Sequence, residues 1–174
     1  MKTSRTLIST LVVGVLASTS ALAADTAGNW REYNADKSGS RFAAAADVTA
    51  ESVKSMKVAW RWAMPDNALA ADNPELRTWV NESTPIAVGG VLYTTSPMSL
   101  VSAIDGATGK TLWTYDPKAY QDGTPPNLGF INRGLTYWEE GADKRLIVGT
   151  ADGYLIVLDA KTGKPVKSWG ENGR

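Results

Sequence analysis

From residue 84 onwards the chain breaks into short runs, about five residues long, in which apolar and polar positions alternate and turn residues intervene. That period of two predicts half-buried strands over Thr84–Val88, Val91–Ser96, Leu100–Ile104 and Thr111–Tyr115, with Gly89-Gly90 as a tight hairpin. The same pattern returns over Gly134–Trp138, Arg145–Thr150, Tyr154–Leu158 and Pro165–Trp169, with Asp152-Gly153 as a hairpin turn. The two sets are in register. A shift of 54 residues, Asp105 to Asp159, lays Ala103-Ile104-Asp105-Gly106-Ala107-Thr108-Gly109-Lys110 on Val157-Leu158-Asp159-Ala160-Lys161-Thr162-Gly163-Lys164 without a gap, and sets Ser99 on Gly153. A third copy survives only as a closing strand, Val58–Trp62, whose Trp60 stands 53 residues before Trp113. Strand repeats of this period are the mark of a β-propeller or a related array.

The repeated residue types have physical reasons. An aspartate carboxylate can accept from backbone N–H groups two or three residues on, and a glycine supplies the positive φ that reverses the chain. Trp113 offers a wide apolar surface to wedge between neighbouring sheets, provided its indole N–H finds an acceptor. The expected fold is therefore all-β, about two four-stranded blades plus part of a third. Lys167 stands where the repeat has Trp113, and the pattern stops in mid-unit at Arg174, so the expectation is an N-terminal portion of a longer array.

Ahead of the strands, Asp47–Met56 predicts a short helix, with Asp47 or Thr49 as its cap and Val53 and Met56 on one face. Residues 24–46 read as an extended arm anchored by Trp30, Tyr33 and Phe42. Met64–Asn81 and Asp116–Asn132 read as long connections on one face of the array. Residues 1–23 have the pattern of a secretory signal: Lys2 and Arg5, an apolar Leu7–Leu16, then Ala21-Leu22-Ala23. The domain then runs over 24–174, with the bacterial periplasm as the expected destination.

Composition narrows the chemistry. With 18 basic and 18 acidic residues there is no electrostatic footprint for nucleic acid, and no apolar run is long enough for a membrane span. No histidine and no cysteine are present, which removes most zinc, haem, iron–sulfur and thiol chemistry and leaves oxygen ligands for any metal. Candidate chemistry concentrates where long loops enter the first strand of each blade: Glu82 before one, Arg133 before the next. Opposite charges would face one channel mouth, where an arginine can hold a carboxylate bidentately; the alternative is that the two simply pair. Asn127 and Asn132 could line the same mouth, while Asp105 and Asp159 belong to turns and Trp60 and Trp113 to packing.

The segment Ala103-x-Asp105-x-x-Thr108-Gly109-Lys110-x-x-Trp113 resembles the tryptophan-docking repeat of quinoprotein dehydrogenases, eight-bladed propeller enzymes that use pyrroloquinoline quinone (PQQ). Asn81-Glu82-Ser83-Thr84-Pro85 and Asn132-Arg133-Gly134-Leu135-Thr136-Tyr137-Trp138 resemble the family's cofactor-contacting strands, and the likeness covers residues 29–174. The resemblance implies that Glu82 and Arg133 bind the cofactor, and that calcium ligands and the catalytic aspartate come from later blades. It also implies that an alcohol, polyol or sugar is oxidised, with electrons leaving through a cytochrome c or ubiquinone. The adjacent cysteine pair of the methanol branch is absent, and Asn127-Leu128 stands near its place. A rival reading is a non-catalytic propeller of the same repeats acting as a periplasmic protein-binding scaffold.

Overall fold

The computed structural model describes residues 29–43, 47–76, 78–126 and 128–174. The signal-like segment 1–23 and Asn127 lie outside them. Among the described residues, seven strands form two antiparallel sheets. The first holds β1 (Ile86–Val88), β2 (Val91–Thr95), β3 (Val101–Asp105) and β4 (Thr111–Tyr115) in the order β1-β2-β3-β4. The second holds β5 (Thr136–Glu140), β6 (Asp143–Gly149) and β7 (Leu155–Asp159) in the order β5-β6-β7. At the first hairpin Val88 faces Val91 across Gly89 and Gly90, whose φ values of 58° and 80° suit a turn that follows the twist of the strands.

The inner faces of the sheets meet in one core. Ile86, Val88, Tyr93, Val101 and Ala103 of the first pack with Leu146, Val148, Ile156, Leu158 and Ala160. The repeat turns then lock the units together. Asp105 accepts from the Thr108 N–H at 2.7 Å, and Asp159 accepts from the Thr162 N–H at 2.8 Å. Both turns end on glycines of positive φ, Gly109 at 72° and Gly163 at 68°. Each of these glycines lies under an indole. A Cβ on Gly109 would stand 2.5 Å from Trp60, and one on Gly163 would stand 2.5 Å from Trp113. Trp60 Nε1 finds its acceptor in the Gly106 carbonyl at 3.1 Å.

Three expected elements differ. Pro165–Trp169 is not a strand: Pro165 bridges Leu158, the Val166 N–H reaches the Val157 carbonyl at 2.9 Å, and there the ladder stops. Proline has no N–H to give, and the Val166 carbonyl is drawn into a turn by the Trp169 N–H, so the Val157 N–H takes the Gly173 carbonyl instead. Val58–Trp62 joins no sheet among the described residues, since those before it offer no inner strands to pair with; Trp60 and Trp62 hold it by their side chains. The helix expected over 47–56 shrinks to a 3₁₀ turn, Ser52–Ser55, since Val53 and Met56 remain more than half exposed. Thr49 caps that turn, accepting from the Ser52 N–H at 3.0 Å while the Ser52 hydroxyl accepts from the Thr49 N–H at 2.9 Å. The arm docks through Trp30, which bridges Ala87 of β1, and Arg31, which pairs with Glu139 of β5; Tyr33 and Phe42 stay exposed.

The long connections carry order that their composition did not announce. A helix, α1 (Asp66–Asp72), uses the helix-forming run Ala68-Leu69-Ala70-Ala71. Its Leu69 and Ala70 pack with Met98, Leu100 and Phe130 in a second core beneath the loops. Asp66 is 1% exposed; its Oδ2 accepts from the Met98 N–H at 3.0 Å, and its Oδ1 is buried without a hydrogen-bond partner. Burial pushes its pKa up, with Asp116 adding to the rise, while the Ser96 side chain and the Met98 amide pull it down. The favourable contribution of a carboxyl raised in the folded state is present below the unfolded pKa and is lost as pH rises through the folded value. Asp66→Asn keeps an acceptor for Met98 and removes the charge. Urea unfolding should therefore show stability falling less from about pH 4 upward in the variant than in the parent; parallel curves would contradict the assignment.

Candidate functional site

At one end of the two sheets the segments entering β1 and β5 run side by side. The Thr84 N–H donates to the Arg133 carbonyl at 3.4 Å, and a Cβ on Gly134, φ 127°, would come within 3.2 Å of the Thr84 carbonyl, so the close approach requires glycine. This places Glu82 and Arg133 next to each other. Arg133 Nη2 lies 2.9 Å from Glu82 Oε2, with the arginine side chain 73% and the glutamate 38% exposed. Of the two outcomes expected for these charges, the structure shows the ion pair. An ion pair this open to water contributes less than about 1 kcal/mol. A ligand carboxylate can therefore replace Glu82 as the acceptor of Arg133 at small cost.

Beneath the pair lies a buried polar layer that alternation alone would not place in a core. Thr95 is 1% exposed, Ser99 0% and Asn132 7%. Thr95 Oγ1 donates to Asn132 Oδ1 at 2.8 Å and lies 2.9 Å from Ser83 Oγ. Asn132 Oδ1 also accepts from the Gly134 N–H at 3.0 Å, and its Nδ2 donates to the Gly149 carbonyl at 2.9 Å and to Ser99 Oγ at 3.3 Å. Ser99 Oγ further accepts from the Ala151 N–H at 3.1 Å, tying the β2–β3 turn to the β6–β7 turn. Ser99 holds a φ of 68° at the repeat position where Gly153 has 87°. A serine in that conformation is uncommon, and its hydroxyl gives the reason it stands there.

Asn132 therefore does more than line the mouth: it ties the two sheets together. The signal was present in the sequence as Thr94-Thr95-Ser96, a polar run at the end of an apolar strand, and as serine in a glycine position of the repeat. Asp105 and Asp159 remain in their turns, bonded to Thr108 and Thr162. Two grooves flank the Glu82–Arg133 pair, one lined by Thr84, Ile86, Arg133, Leu135 and Ile147, the other by Trp62, Met64, Asn81, Ser83 and Thr94. Among the described residues, no group of three or more His, Cys, Asp or Glu side chains could hold a metal ion.

Residues 30–174 match the family model of the glucose/ethanol/alcohol dehydrogenase β-propeller domain, designated PQQ. A 1-butanol dehydrogenase (cytochrome c) of Thauera butanivorans is 34% identical over 146 residues, which cover 83% of this chain and 19% of that protein. The dehydrogenase subunit of an alcohol dehydrogenase (quinone) from Gluconobacter oxydans is 36% identical over 147 residues, 81% of this chain and 17% of that one. The crystal structure of quinohemoprotein alcohol dehydrogenase from Comamonas testosteroni superposes with a TM-score of 0.63 at 34% identity, over 88% of this chain and 20% of the other. The chain thus spans about a fifth of the length of these relatives. From the docked tryptophans to the paired strand entries, it belongs to the PQQ β-propeller family of glucose, ethanol and alcohol dehydrogenases.

Proposed function

We propose that this chain is the N-terminal part of a periplasmic PQQ-dependent dehydrogenase that oxidises an alcohol, polyol or sugar, and that Glu82 and Arg133 belong to its cofactor site. The observation that supports the reading is the juxtaposition of these two side chains by the segments that enter the first strands of neighbouring sheets. The donor set fits the group. PQQ bears three carboxylates, and Arg133 offers a planar fork of donors beside an acceptor, Glu82. Bound with calcium, the quinone supplies a hydride acceptor for a substrate hydroxyl carbon. The residues of this chain bind and orient: Arg133 neutralises a carboxylate, Glu82 accepts from the ligand's polar edge, and the grooves give access. The calcium ligands and the proton acceptor are proposed to lie beyond Arg174, so the 174-residue chain alone should be inactive.

Export through residues 1–23 and electron transfer to a cytochrome c or ubiquinone belong to the same proposal. The relatives named for cytochrome c and for quinone support those two acceptors. The test is reconstitution of the complete protein, freed of cofactor, with PQQ and calcium, followed by dye-linked oxidation of a panel of alcohols, polyols and sugars. Turnover that needs both additions is expected. Absence of turnover with every class of hydroxyl substrate would remove the enzyme reading.

A further inference from the structure

We propose that Thr95 is a positioning residue, whose buried hydroxyl fixes Glu82 and Arg133 in register across two sheets so that both address one ligand. The inference rests on the cofactor-site reading above. The link runs from Glu82 through its neighbour Ser83, across to Thr95, across to Asn132, and into its neighbour Arg133. Glu82 and Arg133 enter different sheets, with no ladder between β1 and β5. The direct backbone contact between their segments, Thr84 to Arg133, is long at 3.4 Å.

The proton directions in this link are set. Asn132 Nδ2 faces the Gly149 carbonyl, which can only accept, so Asn132 Oδ1 is the atom turned to Thr95. Thr95 has one hydroxyl proton and spends it on Oδ1. Ser83 must then donate to Thr95 Oγ1, while Ser83 Oγ accepts from the Thr95 N–H at 3.3 Å. Ser83 Oγ also lies 3.3 Å from Thr94 Oγ1, farther than its 2.9 Å to Thr95 Oγ1, and the successive bonds from Ser83 to Thr95 to Asn132 run in one direction and polarise each other. Asn132 uses all four of its bonding positions, on Thr95, Gly134, Gly149 and Ser99. Loss of the Thr95 hydroxyl therefore loosens Ser83 and Asn132 together, and with them the two charged neighbours. Thr95 itself is 1% exposed and lies under the site without facing the mouth.

The test titrates PQQ with calcium into cofactor-free complete protein by fluorescence quenching, and follows thermal unfolding of each cofactor-free variant. Thr95→Val should raise the cofactor Kd about tenfold. Thr95→Ser, which restores the hydroxyl, should return it to within about twofold of the parent. In an Arg133→Ala background, Thr95→Val should add less than about twofold, because its effect passes through the displaced charges. A purely structural role predicts the opposite: Kd tracking the loss of melting temperature, with no rescue by serine and no coupling to Arg133. If Thr95→Val does not fold, Ser83→Ala breaks the same link from its more open end and must reproduce the tenfold loss. An unchanged Kd in Arg133→Ala would remove the cofactor-site reading itself. A weakened Arg133→Ala beside an unaffected Thr95→Val or Ser83→Ala would overturn the positioning role alone.

Discussion

Gly163→Ala is expected to destabilise the protein by about 3 kcal/mol or more, against about 1 kcal/mol for Gly153→Ala. Both glycines have positive φ, 68° and 87°, so both substitutions force an L-residue into the left-handed region at a cost of roughly 1–2 kcal/mol. They differ in what the new methyl meets. A Cβ on Gly153 has nothing within 4 Å, whereas one on Gly163 would lie 2.5 Å from Trp113 Cε3 and 2.6 Å from Cδ2, well inside contact distance. The indole would have to leave the turn, and with it go the contacts that Trp113 makes to the inter-sheet core. Denaturant unfolding of the three proteins separates the two terms, since the excess of Gly163→Ala over Gly153→Ala reads the docking alone. A cycle with Trp113→Ala checks the assignment: once the indole is gone, the alanine at 163 should cost no more than the one at 153. Equal losses for the two glycine variants in the parent would mean that the tryptophan does not hold the sheets together.

The same pair of residues shows why so much of the fold could be read in advance. A turn built on Asp105, Thr108 and Gly109 is a local object, made by side chains three or four residues apart, and its copy at Asp159, Thr162 and Gly163 uses the same atoms. Alternation placed each of the seven strands of the described residues to within two residues for the same local reason; at β5 (Thr136–Glu140) the far end runs on into Glu139 and Glu140, which no apolar pattern marks. The misses depend on partners distant in sequence. Val58–Trp62 carries a strand pattern yet needs inner strands that the described residues before it do not provide. Pro165–Trp169 alternates acceptably, but one missing N–H and one turn divert the Val157 amide to Gly173. The adjacency of Glu82 and Arg133 was legible because both precede a first strand. Their bond to one another was one of two open outcomes. The polar run Thr94-Thr95-Ser96 marked the buried layer, but the partners in the Ser83–Thr95–Asn132 link were not legible, since they stand 12 and 37 positions from Thr95 in no common motif.

Phe130→Ala is the other substitution expected to act strongly, and its effect should be local. Phe130 is fully buried and packs with Met98 and Leu100, against which Leu69, Leu76 and Tyr120 also close. Truncating a buried phenylalanine removes transfer energy and leaves a cavity, together about 3–5 kcal/mol. The cluster is separate from the inter-sheet core, so this loss falls on the loops 63–81 and 116–132 before it reaches the sheets. Hydrogen exchange in the complete protein should show protection within residues 116–126 falling by roughly 100-fold or more, while the amides of β3 (Val101–Asp105) keep theirs. Uniform loss over loops and sheets would mean that the two cores unfold as one. The local outcome bears on the site, because Asn132 and Arg133 follow Phe130 by two and three residues. A loop core that opens would release the Asn132 anchor from its loop side while Gly149 still holds it from β6. Arg133 would then keep its place ahead of β5 but lose its fixed distance to Glu82, and under the proposed cofactor-site role weaker PQQ binding with intact sheets is the expected consequence.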